Sequence, residues 1–304
     1  MANIGIVGSG NVGANAAFFI AEKGVGDVVI ADEQEGLSTG KALDMMEAAP
    51  VRRYKTKLQG SDSLDKALDS DIVVIAAGAI RKPGGKREDL FDENRSLIET
   101  MAGKLRRSQA IVVILTEPVD LMTSLFVQKS GLSRKRVMGI GGVLDSIRLR
   151  YALARELGLA TDNVAATVIG PHNDQMIPLA AYSSVAGVPV KRLIPEERLT
   201  ALFDEVRGGG DRILEQSQRS TAFYGPAAAA CDVTEAIARN LRRIFPVSFV
   251  LEGELGVSDC AMSLPAVIGE KGIELVLEPR LSEEEQKAFE SSGTELGNKL
   301  QGIA

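Results

Sequence analysis

Along its first half the chain alternates short runs of β-branched residues with longer stretches in which apolar positions recur at helical spacing. Residues 3–7 ("NIGIV"), 27–31 ("DVVIA"), 71–77 ("DIVVIAA"), 110–115 ("AIVVIL") and 136–140 ("RVMGI") read as buried strands, with a weaker one around 54–60 ("YKTKLQG"). Helical spacing begins near Val12, Ser38, Leu90 and Asp120. Strands and helices that alternate in this way form βαβ units, and six such strands predict an α/β fold with a doubly wound parallel sheet of the Rossmann type.

Beyond Leu144 the rhythm changes. A helix is predicted over 144–158, a strand over 163–170, a hairpin-like segment over 182–193, and a long helical stretch from about Pro195 that is interrupted by glycines at 208–210. Another helix starts near Pro226, and three short strand candidates at 246–251, 258–269 and 272–278 precede a terminal helix announced by Ser282 and the three glutamates after it. The expected organisation is a Rossmann domain over 1–143 followed by a closely packed α+β domain over 144–304, with no internal repeat or flexible linker.

Composition narrows the function classes. The 304 residues carry 41 acidic and 35 basic side chains, a net charge of −6, which gives no electrostatic footprint for nucleic acid. No apolar run has the length of a membrane span, and the first residues enter a strand without the features of a signal peptide, so the expectation is a cytoplasmic protein. Cys231 and Cys260 are spaced unlike a zinc or CxxC motif; free thiols in a reducing compartment and no bound metal are expected.

Gly8, Gly10 and Gly13 form G-x-G-x-x-G between the first strand and the first helix. That arrangement lets the backbone turn tightly, approach a pyrophosphate and present a helix N-terminus to its charge. Asp32 ends the second strand, where a carboxylate can accept hydrogen bonds from ribose hydroxyls, and no base follows it in "ADEQEG" to offset the repulsion of an additional phosphate. NAD rather than NADP is therefore the expected cofactor, and hydride transfer the expected chemistry.

His172, in "VIGPHNDQMIP", is the single histidine of the chain. A lone histidine is commonly a packing residue, but hydride removal from a secondary alcohol requires a base near neutrality, and imidazole suits both directions of such a reaction. Asp145, in "GGVLDSIRLR", is a candidate to fix its tautomer, and Arg148 shares a helical face with Asp145 and could grip a carboxylate in two parallel hydrogen bonds. For that Asp and Arg a structural ion pair is the alternative.

The ordered set "GSGNVG", "AAGAIRKPGGKREDL", "GGVLDSIRLR", "GPHNDQMIP" and "LEGELGV" resembles the lactate and malate dehydrogenase superfamily, and within it the lactate-dehydrogenase-like branch of malate dehydrogenases, over nearly the whole chain. The resemblance implies an NAD-binding first domain and a catalytic second domain. It also implies reversible oxidation of (S)-malate to oxaloacetate, a homodimer or homotetramer, and a place in the tricarboxylic acid cycle. His172 is then the proton acceptor, Asp145 its partner and Arg148 the anchor of the substrate's C1 carboxylate. Asn11, Val12 and Asn94 join the three glycines and Asp32 at the cofactor. "RKPGGKR" matches a mobile loop flanked by Gly78, Gly84 and Gly85, in which Arg87 polarises the substrate oxygen and Arg81 holds the discriminating position. Independently of the resemblance, a second substrate carboxylate suits Arg81, which a methyl group would leave unpaired.

Two departures stand out. The superfamily's T-N-P supplies an Asn that contacts substrate and nicotinamide ribose, and here Glu117 takes its place in "LTEPVD". An ionised carboxylate only accepts hydrogen bonds. Glu117 is therefore protonated, or turned towards Arg87 or another cation, or malate is not the substrate. The usual G-x-H-G-D is also altered, by Pro171 and Asn173. "STAFYGP" resembles a segment with a hydroxyl residue beside the nicotinamide, which is Thr221, or Ser220 if the match is displaced by one. Two further readings compete: a dehydrogenase for another 2-hydroxy acid bearing a donor near C2, and an NAD-binding paralogue with weakened catalysis.

Overall fold

The computed structural model describes residues 2–302 apart from 83, 86 and 219. Strands β1 (Ala2–Val7), β2 (Gly26–Ala31), β3 (Leu58–Ser61), β4 (Ile72–Ile75), β5 (Ile111–Ile114) and β6 (Val137–Gly139) pair in parallel in the order β3-β2-β1-β4-β5-β6. β4 and β5 share the sequence IVVI and are buried at every position, as expected of parallel strands with helices on both faces. Those helices are α1 (Asn11–Glu22), α2 (Leu37–Arg52), α3 (Leu64–Leu68), α4 (Phe91–Lys104) and α5 (Val119–Ser130). The five-residue α3 was not foreseen, since one turn is too short to show a period. Strand order reverses between β1 and β4, which opens a crevice at their carboxyl ends.

Helix α6 (Gly141–Leu157) follows β6 directly, so the boundary expected near Leu144 falls inside a helix. The single strand expected over 163–170 is two. β7 (Val164–Ala165) pairs with β10 (Ser184–Val185), and β8 (Val168–Ile169) pairs with β9 (Ile177–Pro178); β10 and β11 (Val188–Pro189) form the expected hairpin. His172 thus sits in the β8–β9 turn. The glycines at 208–210 divide the long helical stretch into α7 (Glu196–Arg207) and α8 (Gly209–Ser217), after which α9 (Tyr224–Ala238) packs on α1.

β12 (Arg243–Glu252), β13 (Ser258–Gly269) and β14 (Gly272–Val276) do not form a sheet of their own. Ser248 of β12 pairs with Gly139 of β6, and the antiparallel strands extend the parallel sheet to nine. β12 runs to 10 residues, beyond the expected 246–251, because it pairs along its length with β13, which spans the expected 258–269. Helix α10 (Glu283–Gln301) begins with the expected capping box: Ser282 accepts from the Glu285 amide at 3.2 Å, and the Glu285 side chain accepts from the Ser282 amide at 2.8 Å. One apolar core runs through the sheet from Ile4 to Leu296, and a smaller one lies between Leu149 and Val206. Among the described residues no helix is long and apolar enough to cross a membrane.

Candidate active site

The turn from β1 into α1 has the geometry that its glycines suggest. Gly8 has φ +96°, and a side chain on it would come within 2.6 Å of the Ala77 backbone; one on Gly13 would lie 1.9 Å from the Gly8 carbonyl oxygen. At Gly10 a side chain would meet only open space, so that backbone can be approached from outside. Asn11 starts α1, and Val12 reaches the cleft described below. Asp32 folds back on the turn: it accepts from the Ser9 amide at 2.6 Å and the Ser9 hydroxyl at 2.9 Å, and from the Gln34 amide at 3.1 Å. Burial opposes its ionisation, but those hydrogen bonds and the nearby Lys41 hold its carboxyl below the usual range. Lys41, which also bonds the Ser9 carbonyl, is a cation that the local sequence around Asp32 does not reveal.

A cavity of about 130 Å³ lies between the carboxyl ends of β4 and β5, the start of α6 and the start of α8. Its wall includes Arg81, Arg87, Glu117, Arg148, His172 and Thr221. Six of the expected substrate and catalytic residues, from five separate segments of the chain, therefore meet in one place. Thr221, not Ser220, faces the cavity; the Ser220 hydroxyl donates to the Thr221 carbonyl.

Asp145 sits behind the imidazole, its Oδ2 2.7 Å from His172 Nδ1, with the two side chains 1% and 2% exposed. Its Oδ1 lies 3.4 Å from Arg148 Nη1, so the carboxylate orients base and guanidinium together. The His172 amide donates to Asp120 Oδ2 at 2.6 Å, and Asp120 Oδ1 accepts from the Ser248 hydroxyl at 2.5 Å. This second buried carboxylate locks the backbone of the β8–β9 turn. Burial pushes Asp120 up to about 6 against those hydrogen bonds. Close approach also matters: a side chain on Gly141 would come within 2.6 Å of His172 Cβ.

The three arginines converge. A single point, the Cβ that Gly210 lacks, is 2.6 Å from Arg87 Nη2 and 3.7 Å from both Arg148 Nη2 and Arg81 Nη2. Like charges held this closely favour an anion between them. Arg81 meanwhile pairs with Asp211 at the start of α8. Of the loop expected to close over substrate, Pro83 and Lys86 lie outside the described residues.

Glu117 takes the second of its three arrangements. Oε1 is 3.4 Å from Arg87 Nε and 3.4 Å from His172 Nε2. Burial would raise its carboxyl, but His172 and Arg87 hold it down to about 2. Burial also disfavours a charged imidazole, yet Asp145 and Glu117 outweigh it and the repulsion of Arg87, and push His172 up to about 9.

Asn94, expected at the cofactor, is 1% exposed and does not line the cavity. Its Oδ1 accepts from the Ala79 amide at 2.7 Å and its Nδ2 donates to the Glu117 carbonyl at 2.6 Å. It ties together the segments that follow β4 and β5.

Residues 2–139 match the model of the lactate/malate dehydrogenase NAD binding domain, and residues 142–304 that of the lactate/malate dehydrogenase alpha/beta C-terminal domain. The chain belongs to the lactate/malate dehydrogenase family. It is 39% identical to a malate dehydrogenase of Desulforudis audaxviator over 99% of this chain and 98% of that relative. Among solved structures of the family it resembles malate dehydrogenase from Cryptosporidium parvum, with a TM-score of 0.95 and 32% identity over 99% of each chain. The lactate dehydrogenase of the same organism, complexed with lactic acid and nicotinamide adenine dinucleotide, is nearly as similar, with a TM-score of 0.94 and 31% identity over 99% of this chain and 97% of that one. Overall likeness in this family therefore does not separate the two substrates, and the side chains in the cavity have to.

Proposed function

We propose that this protein is an NAD-dependent malate dehydrogenase that interconverts (S)-malate and oxaloacetate. The observation that carries the reading is the convergence of Arg81, Arg87 and Arg148 on one point beside His172. Three guanidiniums suit a substrate with two carboxylates and a polarised oxygen, whereas a monocarboxylate has no second anion to offer Arg81 in place of Asp211. In this reading Arg148 grips the C1 carboxylate, Arg81 exchanges Asp211 for the second carboxylate, and Arg87 polarises the C2 oxygen.

The β1–α1 turn fits NAD: Gly8 and Gly13 permit its close packing, Gly10 leaves room for a pyrophosphate, and Asn11 opens the helix that faces it. Bound there, the nicotinamide supplies the hydride acceptor for the substrate's C2. Asp32 accepts from the ribose while Ser9 holds it ionised, Val12 and Thr221 border the nicotinamide end, and Asn94 acts by holding the two segments beneath it. His172 Nε2 takes the hydroxyl proton of malate, and Asp145 keeps the other ring nitrogen protonated and stabilises the imidazolium.

Residues 1–143 form the cofactor-binding domain, which also lends Arg81, Arg87 and Glu117 to the substrate, and 144–304 the catalytic domain, a division supported by the two family models, which meet between 139 and 142. A homodimer or homotetramer is supported by apolar side chains left exposed on α2 and α6, among them Leu43, Val51, Ile147 and Tyr151. The buried free thiols of Cys231 and Cys260 suit the reducing cytoplasm, and the substrate pair supports a role in the tricarboxylic acid cycle.

A second reading is favoured by Glu117, which stands at the reacting position: a 2-hydroxy acid with a donor near C2, or a weakened catalyst. NADH consumption with oxaloacetate and with pyruvate separates them. A preference for oxaloacetate of about a hundredfold or more in kcat/KM is expected. Equal rates, or none with either acid, would remove the malate reading.

A further inference from the structure

Every guanidinium in the cavity has an internal carboxylate, but the three carboxylates are not equivalent. Asp145 lies behind the imidazole, out of the way of a ligand. Asp211 is at the rim with its side chain 56% exposed, so it can return to water at little cost when Arg81 is claimed by another anion. Glu117 is neither behind nor at the rim. Its Oε1 stands in the space between His172 Nε2 and Arg87 Nε, and its Oε2 is buried and has no hydrogen-bond partner among the described residues.

Proton transfer to or from His172 requires the substrate's C2 oxygen to come within about 2.6–3.2 Å of Nε2. The ionised Glu117 oxygen already claims that donor and Arg87. A C2 carbonyl and a carboxylate are both acceptors, so neither can satisfy the other. With Asp211 released to water, Arg81, Arg87, Arg148 and a protonated His172 balance Asp145, Glu117 and a bound dianion, so the obstacle is the missing donor rather than net charge. One proton on Glu117 removes it, because a neutral carboxyl can donate.

Resting on the proposed reaction with a dicarboxylate, we propose that Glu117 is ionised and held between Arg87 and His172 in the empty site, takes one proton from solvent as a 2-oxo dicarboxylate binds, and then donates a hydrogen bond to the substrate's C2 oxygen. His172 keeps its own proton for the reduction. The same device excludes monocarboxylates. Pyruvate brings no second charge to draw Arg81 from Asp211 and exerts a weaker pull on a proton, so the internal ion pair competes with it more successfully.

The charged groups around Glu117 bear on the proton's destination. His172 in the β8–β9 turn and Arg87 in the segment after β4 touch it; Arg148 and Asp145 on α6 and Asp211 on α8 lie beyond. Asp120, in the first turn of α5, feels the charge of Glu117 and is itself raised by burial, which makes it the rival proton acceptor.

The test is proton uptake by the intact protein with NAD on addition of oxaloacetate, a 2-oxo dicarboxylate that the oxidised cofactor cannot reduce. It is followed with an indicator dye in weak buffer and checked by calorimetry in buffers of different ionisation enthalpy. The wild type is expected to take up about one proton more per site than Glu117→Gln, and Asp120→Asn to retain that uptake. The KM for oxaloacetate should rise about tenfold per pH unit above neutrality in the wild type and stay nearly flat in Glu117→Gln, with kcat less affected. Tight oxaloacetate binding to the protein with NAD but without uptake in the wild type would overturn the proposal by itself, whatever the variants do. Uptake lost in Asp120→Asn but kept in Glu117→Gln would overturn it in favour of Asp120. If oxaloacetate neither binds in the presence of NAD nor is turned over with NADH, the proposed reaction falls and this inference with it, a result distinct from binding without uptake.

Discussion

Replacing Asp145 by Asn keeps the shape of the side chain and removes its charge. Asp145 touches both His172 at 2.7 Å and Arg148 at 3.4 Å, so the change acts on base and anchor together. The distance from an ordinary imidazole at 6.5 to about 9 corresponds to about 3 kcal/mol of preference for the charged ring. Asp145 shares that preference with Glu117, and removing it should cost about 1–3 kcal/mol of stability while His172 is charged. Because the folded value lies above the unfolded one, this contribution is fully present below pH 6.5 and is lost as the pH rises through about 9. Urea unfolding at pH 6 and pH 10 should therefore show a deficit for Asp145→Asn that is largest at pH 6 and shrinks by about 1–3 kcal/mol at pH 10. In the same variant kcat/KM for malate should fall by about 10³–10⁴, since the amide can hold the wrong tautomer. A deficit of equal size at both pH values would refute the argument, because the pair would then be stabilising through packing rather than charge.

Other outcomes follow from the same geometry. In Arg81→Gln, kcat/KM for oxaloacetate should drop by about 10²–10⁴ while that for pyruvate holds or rises; an unchanged ratio would mean that Arg81 does not read the second carboxylate. Asp32→Ala should raise the KM for NAD about tenfold and leave Lys41 free to favour NADP, so a cofactor preference unmoved in steady-state assays would sink the ribose role. Gly13→Ala, whose Cβ would lie 1.9 Å from the Gly8 carbonyl oxygen, should destabilise the fold by about 2–4 kcal/mol in thermal melts, with a larger loss of NADH affinity. Malate oxidation needs neutral His172, so its kcat/KM should climb with pH towards about 9, whereas kcat for oxaloacetate reduction should hold to about 9 and fall above it.

Much of the fold could be read from the chain because the determining forces are local. The β-branched IVVI runs favour strands buried on both faces, the Gly8 to Gly13 spacing after a strand suits a tight turn into a helix, and Ser282 with Glu285 closes its own cap. The site residues were legible for a related reason: histidine, arginine and carboxylate carry chemistry that a sequence states outright. Pairing was not legible. That β12 would join β6 through Ser248 and Gly139 depends on a segment more than a hundred residues away, and that residues 163–170 would change partners midway depends on one segment about twenty and another about ten residues on. Asn94 shows the same limit, since its amide is used up on the backbones of Ala79 and Glu117. Nor could the chain show that Asp211 would neutralise Arg81, that Lys41 would approach Asp32, or that Asp120 would hold the His172 backbone. Residue type and spacing state which groups are present and which local shapes they adopt. The state of each charge depends on what folding brings within about 4 Å of it, and for Glu117 that neighbourhood came from two other segments of the chain.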